Sequence, residues 1–179
     1  MEEEIRGLGD WMRMVGKKAP GEKLWNFIVA ISHDKGVICC VPYERMCGHF
    51  FATFIKMTLT RLFMKTDKGI NRLWIQDGDP SQNSSMARST MRRANSTSIK
   101  LPPRSPDLNC IENLFPIVRR ILKKQALERG IKRESLKQFK AQVKAPILSI
   151  PVRTINHIIS SKHNRMSLVI TNKGRRLNY

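Results

Sequence analysis

The order of strand-like and helix-like patterns is the feature that most constrains the fold of this 179-residue chain. Apolar side chains alternate along residues 24–31, Asp34-Lys35-Gly36 supplies hairpin-turn chemistry, and residues 37–41 form the return strand. Residues 48–64 then carry apolar side chains at a helical period. A β-hairpin followed by an amphipathic helix predicts an α/β domain rather than an all-helical or all-β one.

The rest of the chain divides into short elements and then helices. The pattern predicts a strand at 72–76, a helix at 86–94, a short strand at 99–101, and helices near 134–145 and 152–161 after a helix that opens near Glu112. We therefore predict an α/β fold with a mixed sheet and a helical C-terminal part. The predicted limits are a poorly ordered segment at 1–22 and one domain at 23–179, with an α/β core at 24–105 and helices at 109–179.

Two carboxylates stand out in this order of elements. Asp77 ends a predicted strand and Glu112 opens a predicted helix, and the 34 residues from 78 to 111 separate them. Hard divalent cations prefer carboxylate oxygens held on rigid elements, so the pair is a candidate metal and catalytic site. Each also has a structural explanation taken alone. Asp77 adjoins a turn-forming segment, and Asn109 and Glu112 have the spacing of a helix capping box.

The charge of the chain points to a polyanionic partner. Its 33 Lys and Arg residues against 14 Asp and Glu give a net charge of +19, which favours binding to nucleic acid through phosphate neutralisation. Four basic residues follow Glu112 on the same predicted helix and are candidates for contacting a DNA backbone: Arg119, Arg120, Lys123 and Lys124. In a continuous α-helix Arg119 and Lys123 would project close to the direction of Glu112. A solvated basic helix face is the alternative explanation.

Several classes of function are disfavoured. The cysteines, Cys39, Cys40, Cys47 and Cys110, form no Cys-x-x-Cys pair and no zinc pattern with the histidines, so we expect free thiols in a reducing compartment. No apolar run has the length of a membrane-spanning helix, and the acidic start is unlike a signal peptide. We expect a protein that is not secreted, nuclear if eukaryotic and otherwise intracellular, with no membrane partner and no small-molecule substrate.

The sequences around the two carboxylates resemble those of a known family. Gln76-Asp77 precedes a loop that contains Pro80, and Ser105-Pro106-Asp107-Leu108-Asn109 precedes Ile111-Glu112-Asn113-Leu114. These segments and their interval resemble the DDE transposases of the Tc/mariner superfamily, over about residues 24–179. The resemblance implies a ribonuclease-H-like fold, with Asp77 and Glu112 as the second and third catalytic carboxylates. It also implies Mg²⁺ or Mn²⁺ as cofactor and DNA as partner.

The chain departs from the pattern of that family at several points. The first catalytic Asp of the family lies on a strand upstream of Leu24, where this sequence has only Asp10 in a segment without a strand pattern. We therefore expect the first strand to be missing or irregular and the domain to be N-terminally truncated. Pro116, one turn after Glu112, is expected to kink the helix that carries this carboxylate. Cys110 occupies a position where the family commonly has proline.

Three functions stay open on these observations. The first is a transposase-derived domain that binds DNA and is inactive or degenerate alone. The second is an active DDE endonuclease or strand transferase in which another upstream acid replaces the first Asp. The third is a non-catalytic DNA-binding or dimerisation module that pairs with itself or with a full-length transposase.

Overall fold

A computed structural model describes residues 26–61, 72–76, 78–103, 105–129 and 136–175 of the chain. The segment predicted to be poorly ordered, 1–22, lies outside the described residues, and the domain limits stay a prediction. The chain forms two compact units. Residues 45–109 make up one, which we call the central unit. The residues before 45 and after 109 make up the other, which we call the terminal unit.

The described elements confirm the predicted α/β class. Two of them are 3₁₀ turns, Pro106–Leu108 and Cys110–Asn113, and one is a π-helical turn, Ile55–Leu59. In chain order the strands and α-helices are β1 (Asn26–Ser32), β2 (Gly36–Tyr43), α1 (Gly48–Phe54), β3 (Arg72–Gln76), α2 (Ser85–Arg93), β4 (Ser96–Lys100), α3 (Leu114–Arg129), α4 (Leu136–Leu148) and α5 (Val152–Thr171).

Both pairing directions of the predicted mixed sheet are present among the described strands, but they occur in two separate two-stranded sheets. Strands β1 and β2 are antiparallel, whereas β3 and β4 are parallel. The predicted hairpin turn is confirmed, because Asp34 and Gly36 adopt φ angles of 60° and 75°. Glycine tolerates such an angle without strain, and aspartate is among the few other residues that adopt it readily.

The core of the terminal unit lies between the hairpin and the helices. Phe27 and Val29 of β1 and Cys40 of β2 face the same cluster of apolar side chains. Burial of each large member contributes about 2 kcal/mol through the hydrophobic effect. The helical members are Leu114 and Val118 of α3, Val143 and Ile147 of α4, and Ile155 and Ile158 of α5. Leu114 and Val118 lie four residues apart on one side of α3, so the helix predicted after Glu112 has an apolar side that packs in the core.

The hairpin turn is also fixed to α5 by polar contacts. The backbone N–H of Asp34 donates to Oδ1 of Asn156 at 2.8 Å, and Nδ2 of Asn156 donates to Oδ1 of Asp34 at 2.8 Å. A side chain on Gly36 would press on the same helix, since a Cβ there would lie 3.2 Å from Cγ2 of Val152. These contacts fix the position of the hairpin turn on α5.

Helix α1 of the central unit begins at Gly48 as predicted, but its course is less regular than the periodicity indicated. The thiol of Cys47 caps its start by accepting a bond from the N–H of Phe50. After Phe54 the helix widens into the π-helical turn, where the hydroxyl of Thr60 donates to the carbonyl of Ile55 at 3.1 Å. Ile55 and Leu59 within this turn are fully buried.

Strands β3 and β4 and the helix between them form a β–α–β unit. Strand β3 has the predicted limits, whereas β4 begins at Ser96, three residues earlier than predicted, and ends at Lys100. Helix α2 is capped by Ser84, whose Oγ accepts from the N–H of Ala87 at 3.2 Å. Gly48 closely approaches this cap, because an added Cβ would lie 2.6 Å from Oγ of Ser84.

Among the described helices, none is long and apolar enough to span a membrane.

Candidate functional site

Glu112 lies in a 3₁₀ turn rather than in the first turn of an α-helix. The turn, Cys110–Asn113, is called the Glu112 turn below, and α3 starts only after it, at Leu114. Cys110 is buried at the start of the turn, Glu112 is half-buried, and Leu114 is completely buried just after it. Packing on both sides thus fixes the backbone on which the carboxylate is carried.

The predicted kink at Pro116 is wrong. Because α3 begins at Leu114, Pro116 is its third residue and lies in its first turn. The N–H groups of a first turn have no acceptor within the helix, so a proline there removes no helical hydrogen bond. Pro116 is exposed and α3 continues for its 16 residues to Arg129. The sequence pattern placed the helix start too early, which placed Pro116 too deep in the helix.

The four basic residues predicted to contact DNA share one exposed face of α3. Arg119, Arg120, Lys123 and Lys124 are all exposed, and their spacing places them on the side opposite the buried Leu114, Phe115 and Val118. Lys124 also forms an ion pair with Glu128, with Nζ 3.8 Å from Oε1. Such an exposed pair is weak. These four side chains are called the α3 basic face below.

The expected alignment of Glu112 with Arg119 and Lys123 needs a correction. It assumed a continuous α-helix from Glu112 onward, whereas residues in a 3₁₀ turn advance by about 120° rather than 100°. The two residue steps from Glu112 to Leu114 therefore rotate the Glu112 side chain by roughly 40° relative to the residues of α3. Arg119 stays about 20° from the direction of Glu112, as in a continuous helix, whereas Lys123 moves from about 20° to about 60° away.

Asp77 itself lies outside the described residues, but its neighbours are well defined. Gln76, at the end of β3, is buried and accepts a bond from Nε1 of Trp74 at 2.8 Å through its Oε1. Its Nε2 donates to the carbonyl of Gln82 at 3.2 Å and to Oδ1 of Asn83 at 3.4 Å. The amide of Gln76 therefore connects the end of the strand to the far end of the loop that follows.

Asp79 has the structural role that its turn-forming sequence indicated. Its Oδ1 accepts from the N–H of Ser81 at 2.7 Å, and its carbonyl accepts from Nδ2 of Asn83 at 2.9 Å. These bonds form a compact turn of the type that aspartate favours. In the same loop the side chain of Gln82 is 1% exposed, and neither of its amide atoms has a hydrogen-bond partner in the described structure.

The pairing of Asp77 with Glu112 stays a prediction. Position 77 belongs to the central unit and Glu112 to the terminal unit, so each is described within its own unit. Within the described ranges, no three His, Cys, Asp or Glu side chains converge as a metal site would require. The donor chemistry nevertheless suits Mg²⁺ or Mn²⁺, because both predicted ligands are carboxylates.

The prediction that the cysteines are free thiols is confirmed. All four are free thiols, and Cys39, Cys40 and Cys110 are buried. Burial raises the pKa of the Cys39 thiol to about 12 and that of Cys40 to about 11. A thiol that stays protonated is a poor nucleophile and a poor metal ligand. Neither residue is a candidate for chemistry.

Sequence reasoning missed Arg165, the buried basic residue on α5. It lies seven residues after Ile158 and ten after Ile155, which puts it on the same face of the helix as these two core residues. A charged residue at an apolar position of a helical stripe is a signal that the sequence does contain. The hydrogen bonds of Gln76 had no comparable signal, because they depend on how the loop folds back.

Comparison with known proteins establishes the family. Residues 13–136 match the family model of the DDE superfamily endonuclease, and the chain belongs to that family. Within it, the chain belongs to the Tc/mariner group of DDE transposases. It is 31% identical over 137 residues to the Tcb1 transposase of Caenorhabditis briggsae and 32% identical over 132 residues to the Tcb2 transposase of the same species.

These relatives are longer than the chain. Each alignment covers 74% of this chain, but only 48% of the Tcb1 transposase and 43% of the Tcb2 transposase. The chain thus spans less than half the length of either relative.

Solved structures confirm the fold class. The catalytic domain of the Mos1 mariner transposase superposes with a TM-score of 0.73, covering 94% of this chain and 80% of that domain at 16% identity. The Mos1 mariner paired-end complex with Mn superposes with a TM-score of 0.72 at 15% identity, covering 92% of this chain and 48% of that one. The fold is therefore that of a ribonuclease-H-like transposase catalytic domain, and proteins of this family normally use divalent metals.

Proposed function

We propose that this chain is a transposase-derived domain that binds DNA through the α3 basic face. The observation that carries the proposal is the clustering of Arg119, Arg120, Lys123 and Lys124 on the exposed side of a helix whose opposite side is anchored in the core. A rigid row of cations is suited to hold successive phosphates of a nucleic-acid backbone.

The charge distribution around this face supports the proposal. Helices α3, α4 and α5 contain eleven Lys and Arg residues and one acidic residue, Glu128. A compact unit with this imbalance repels itself unless a polyanion neutralises it. A similar solved structure is the Mos1 transposase paired-end complex with the left transposon end, which agrees with DNA as the ligand class proposed for this chain.

The catalytic part of the proposal concerns Asp77 and Glu112, which would hold Mg²⁺ or Mn²⁺. Such a metal, when bound, supplies activation of a water or a DNA 3′-hydroxyl for attack on a phosphodiester. The resemblance assigns only two of the three catalytic carboxylates to this 179-residue chain. We propose that the chain by itself binds DNA without cleaving it, because two carboxylates hold a hard cation more loosely than a complete set.

The salt dependence of DNA affinity tests the binding proposal. The full chain and a variant with Arg119→Gln, Arg120→Gln, Lys123→Gln and Lys124→Gln would be titrated with a fluorescent DNA duplex at several salt concentrations. We expect wild-type affinity to fall steeply as salt rises, and the variant to lose about three units of the log–log slope. Lys124 should contribute least, because Glu128 already neutralises part of its charge.

A matched control separates a specific face from general charge. Four exposed basic residues of the central unit, Lys56, Arg61, Arg92 and Arg93, would be replaced by glutamine, which lowers the net charge by the same amount. If the control variant loses as much of the slope as the α3 variant, the α3 basic face is not the binding surface. Affinity that does not change with salt would contradict electrostatic binding altogether.

Nicking of a supercoiled plasmid in Mg²⁺ or Mn²⁺ tests the catalytic part. We expect no nicking above the level of an Asp77→Ala, Glu112→Gln double variant. Metal-dependent nicking by the wild type that this double variant lacks would show an active endonuclease, and would overturn the proposal that the chain is inactive alone.

A further inference from the structure

Arg165 is a buried cation on α5 that packs against the Glu112 turn. Its side chain is 6% exposed, and its Nη2 lies 3.6 Å from Sγ of Cys110, the first residue of that turn. The two residues are 55 positions apart in the sequence. The contact therefore joins α5 to the turn through tertiary structure alone.

The direction of the Arg165 side chain is fixed by its own helix. Nη2 donates to the carbonyl of Ile158 at 3.3 Å, and Nε donates to the carbonyl of Ser161 at 3.5 Å. Both acceptors lie toward the N-terminus of α5, so the side chain runs back along the helix surface. The guanidinium is thereby held at one place, where Cys110 packs on it.

A charged side chain is an expensive way to fill this position. Burying a guanidinium costs more free energy than burying an apolar side chain of the same length, such as methionine. Ile155 and Ile158, about three and two turns earlier on the same side of α5, are buried in the apolar core, which a methionine at position 165 could extend without a charge. A planar group with several donors instead supplies directional bonds, which specify where its neighbours lie.

We propose that Arg165 is a positioning residue for Glu112, acting through Cys110. It fixes the start of the Glu112 turn against α5. Because the turn is fixed, the carboxylate of Glu112, two residues after Cys110, is held in a single orientation. This inference rests on the proposed metal-binding role of Glu112. It adds to that role a residue on a different helix that the family resemblance does not assign.

The experiment compares Arg165→Met with wild type in the full chain. Methionine keeps the apolar stem and removes the hydrogen-bond donors. Mn²⁺ affinity would be measured by calorimetry, and backbone amide exchange would be followed at residues 111–113. We expect Mn²⁺ affinity to fall by about tenfold, the usual effect of removing a group that orients a metal ligand. Exchange should become faster in the Glu112 turn but not at Val143 or Ile147 of the core.

Three further variants make the result specific. Arg153→Met removes an exposed arginine from the same helix and should leave Mn²⁺ affinity and exchange unchanged. Cys110→Ala removes the other side of the contact, and its effect should not add to that of Arg165→Met. Arg165→Lys keeps the charge and a donor but lacks the planar group that bonds to Ile158, Ser161 and Cys110 together, so it should lower Mn²⁺ affinity less than Arg165→Met does, and it serves as the test if the methionine variant does not fold.

Each outcome separates this inference from the proposed function. Unchanged Mn²⁺ affinity in Arg165→Met would overturn the positioning role, even if exchange became faster, because Arg165 would then be only structural. Unchanged exchange at residues 111–113 would overturn it as well. If wild type binds Mn²⁺ no better than Glu112→Gln, the proposed metal role of Glu112 is wrong and the inference is wrong with it. DNA affinity should stay at the wild-type level in Arg165→Met, because Arg165 lies outside the α3 basic face.

Discussion

The two stretches of chain that border the predicted catalytic carboxylates are held in place by different forces. The Glu112 turn is anchored by burial on both sides, since Cys110 precedes Glu112 and Leu114 follows it, both within the core of the terminal unit, and by the contact of Cys110 with Arg165. The loop after β3 is anchored by hydrogen bonds instead. Gln76 and Asp79 make most of the described bonds, to Ser81, Gln82 and Asn83.

This difference determines how each region responds to substitution. Burial is nondirectional and scales with the area removed from water, so a core position loses stability with every methylene that is deleted. A hydrogen-bonded loop depends on the geometry of single groups, and an unmatched buried group is costly. The region around Glu112 should therefore be sensitive to volume, and the loop after β3 to the identity of its polar atoms.

The largest effect is expected for Leu114→Ala. Leu114 is completely buried next to the Glu112 turn, and the substitution should lower the free energy of unfolding by about 3 kcal/mol through lost burial and the cavity that remains. Urea denaturation followed by circular dichroism measures it. Leu127→Ala on the same helix is the control, because Leu127 is 75% exposed and should change stability little. Equal losses in both variants would contradict the packing argument.

A smaller effect is expected for Gln76→Met, which keeps the length of the side chain but removes three hydrogen bonds. The free energy of unfolding should fall by about 2 kcal/mol. The indole N–H signal of Trp74 in an NMR spectrum should also shift, since it loses its acceptor on Gln76. If neither quantity changes, the loop is held by something other than this amide.

Replacing glutamine by methionine six residues later, at position 82, should change the free energy of unfolding in the opposite direction. Gln82→Met replaces an amide that is buried without a hydrogen-bond partner in the described structure, so we expect the free energy of unfolding to rise by about 1 kcal/mol. Urea denaturation of the two variants side by side gives a direct comparison. A destabilised Gln82→Met protein would mean that a bound water or another group satisfies the amide.

The smallest effect concerns a polar contact of the terminal unit, between Asp34 and Asn156. Hydrogen bonds from His33 and Asn156 lower the pKa of the Asp34 carboxyl below its ordinary value of 3.8. The charged form is therefore favoured on folding, so the stabilisation is present above pH 3.8 and is lost as pH falls through the lower pKa of the folded protein.

Asn156→Ala tests this contact. The pKa of Asp34 should rise toward its ordinary value, which an NMR titration of the side-chain carboxyl follows. Ser160→Ala, an exposed position on the same helix, should leave that pKa unchanged. An unchanged pKa in Asn156→Ala would show that His33 and Lys35 lower it without Asn156.

Much of the fold could be predicted from sequence because its signals are local. The hairpin turn at Asp34 and Gly36 needs residues that tolerate a positive φ angle, and such residues are visible in the sequence. Strand β3 and the apolar stripe of α3 follow from periodicity alone. The start of α3 could not be placed in the same way, because a 3₁₀ turn and an α-helix share nearly the same apolar spacing over four residues.

The candidate site was predictable only in part for a related reason. Sequence patterns indicated Glu112 and the four basic residues of the α3 basic face, and all five lie in the part of the chain that the structure describes. Arg165 gave a weaker signal, a charge on the helix face that also carries the buried Ile155 and Ile158. The side-chain hydrogen bonds of Gln76 had no signal in the sequence, because they depend on how the loop after β3 folds. Asp77 and its pairing with Glu112 stay predictions from the family resemblance.

The π-helical turn after α1 has a consequence for sequence comparison. A bond that spans five residues instead of four takes one more residue into the turn than a regular α-helix does. Thr60 and Arg61, which continue the helix after this turn, are therefore displaced by one position and rotated by about 100° compared with the same residues in a protein whose helix is uniform here. An alignment of this chain with such a relative would need a single-residue gap between residues 55 and 59.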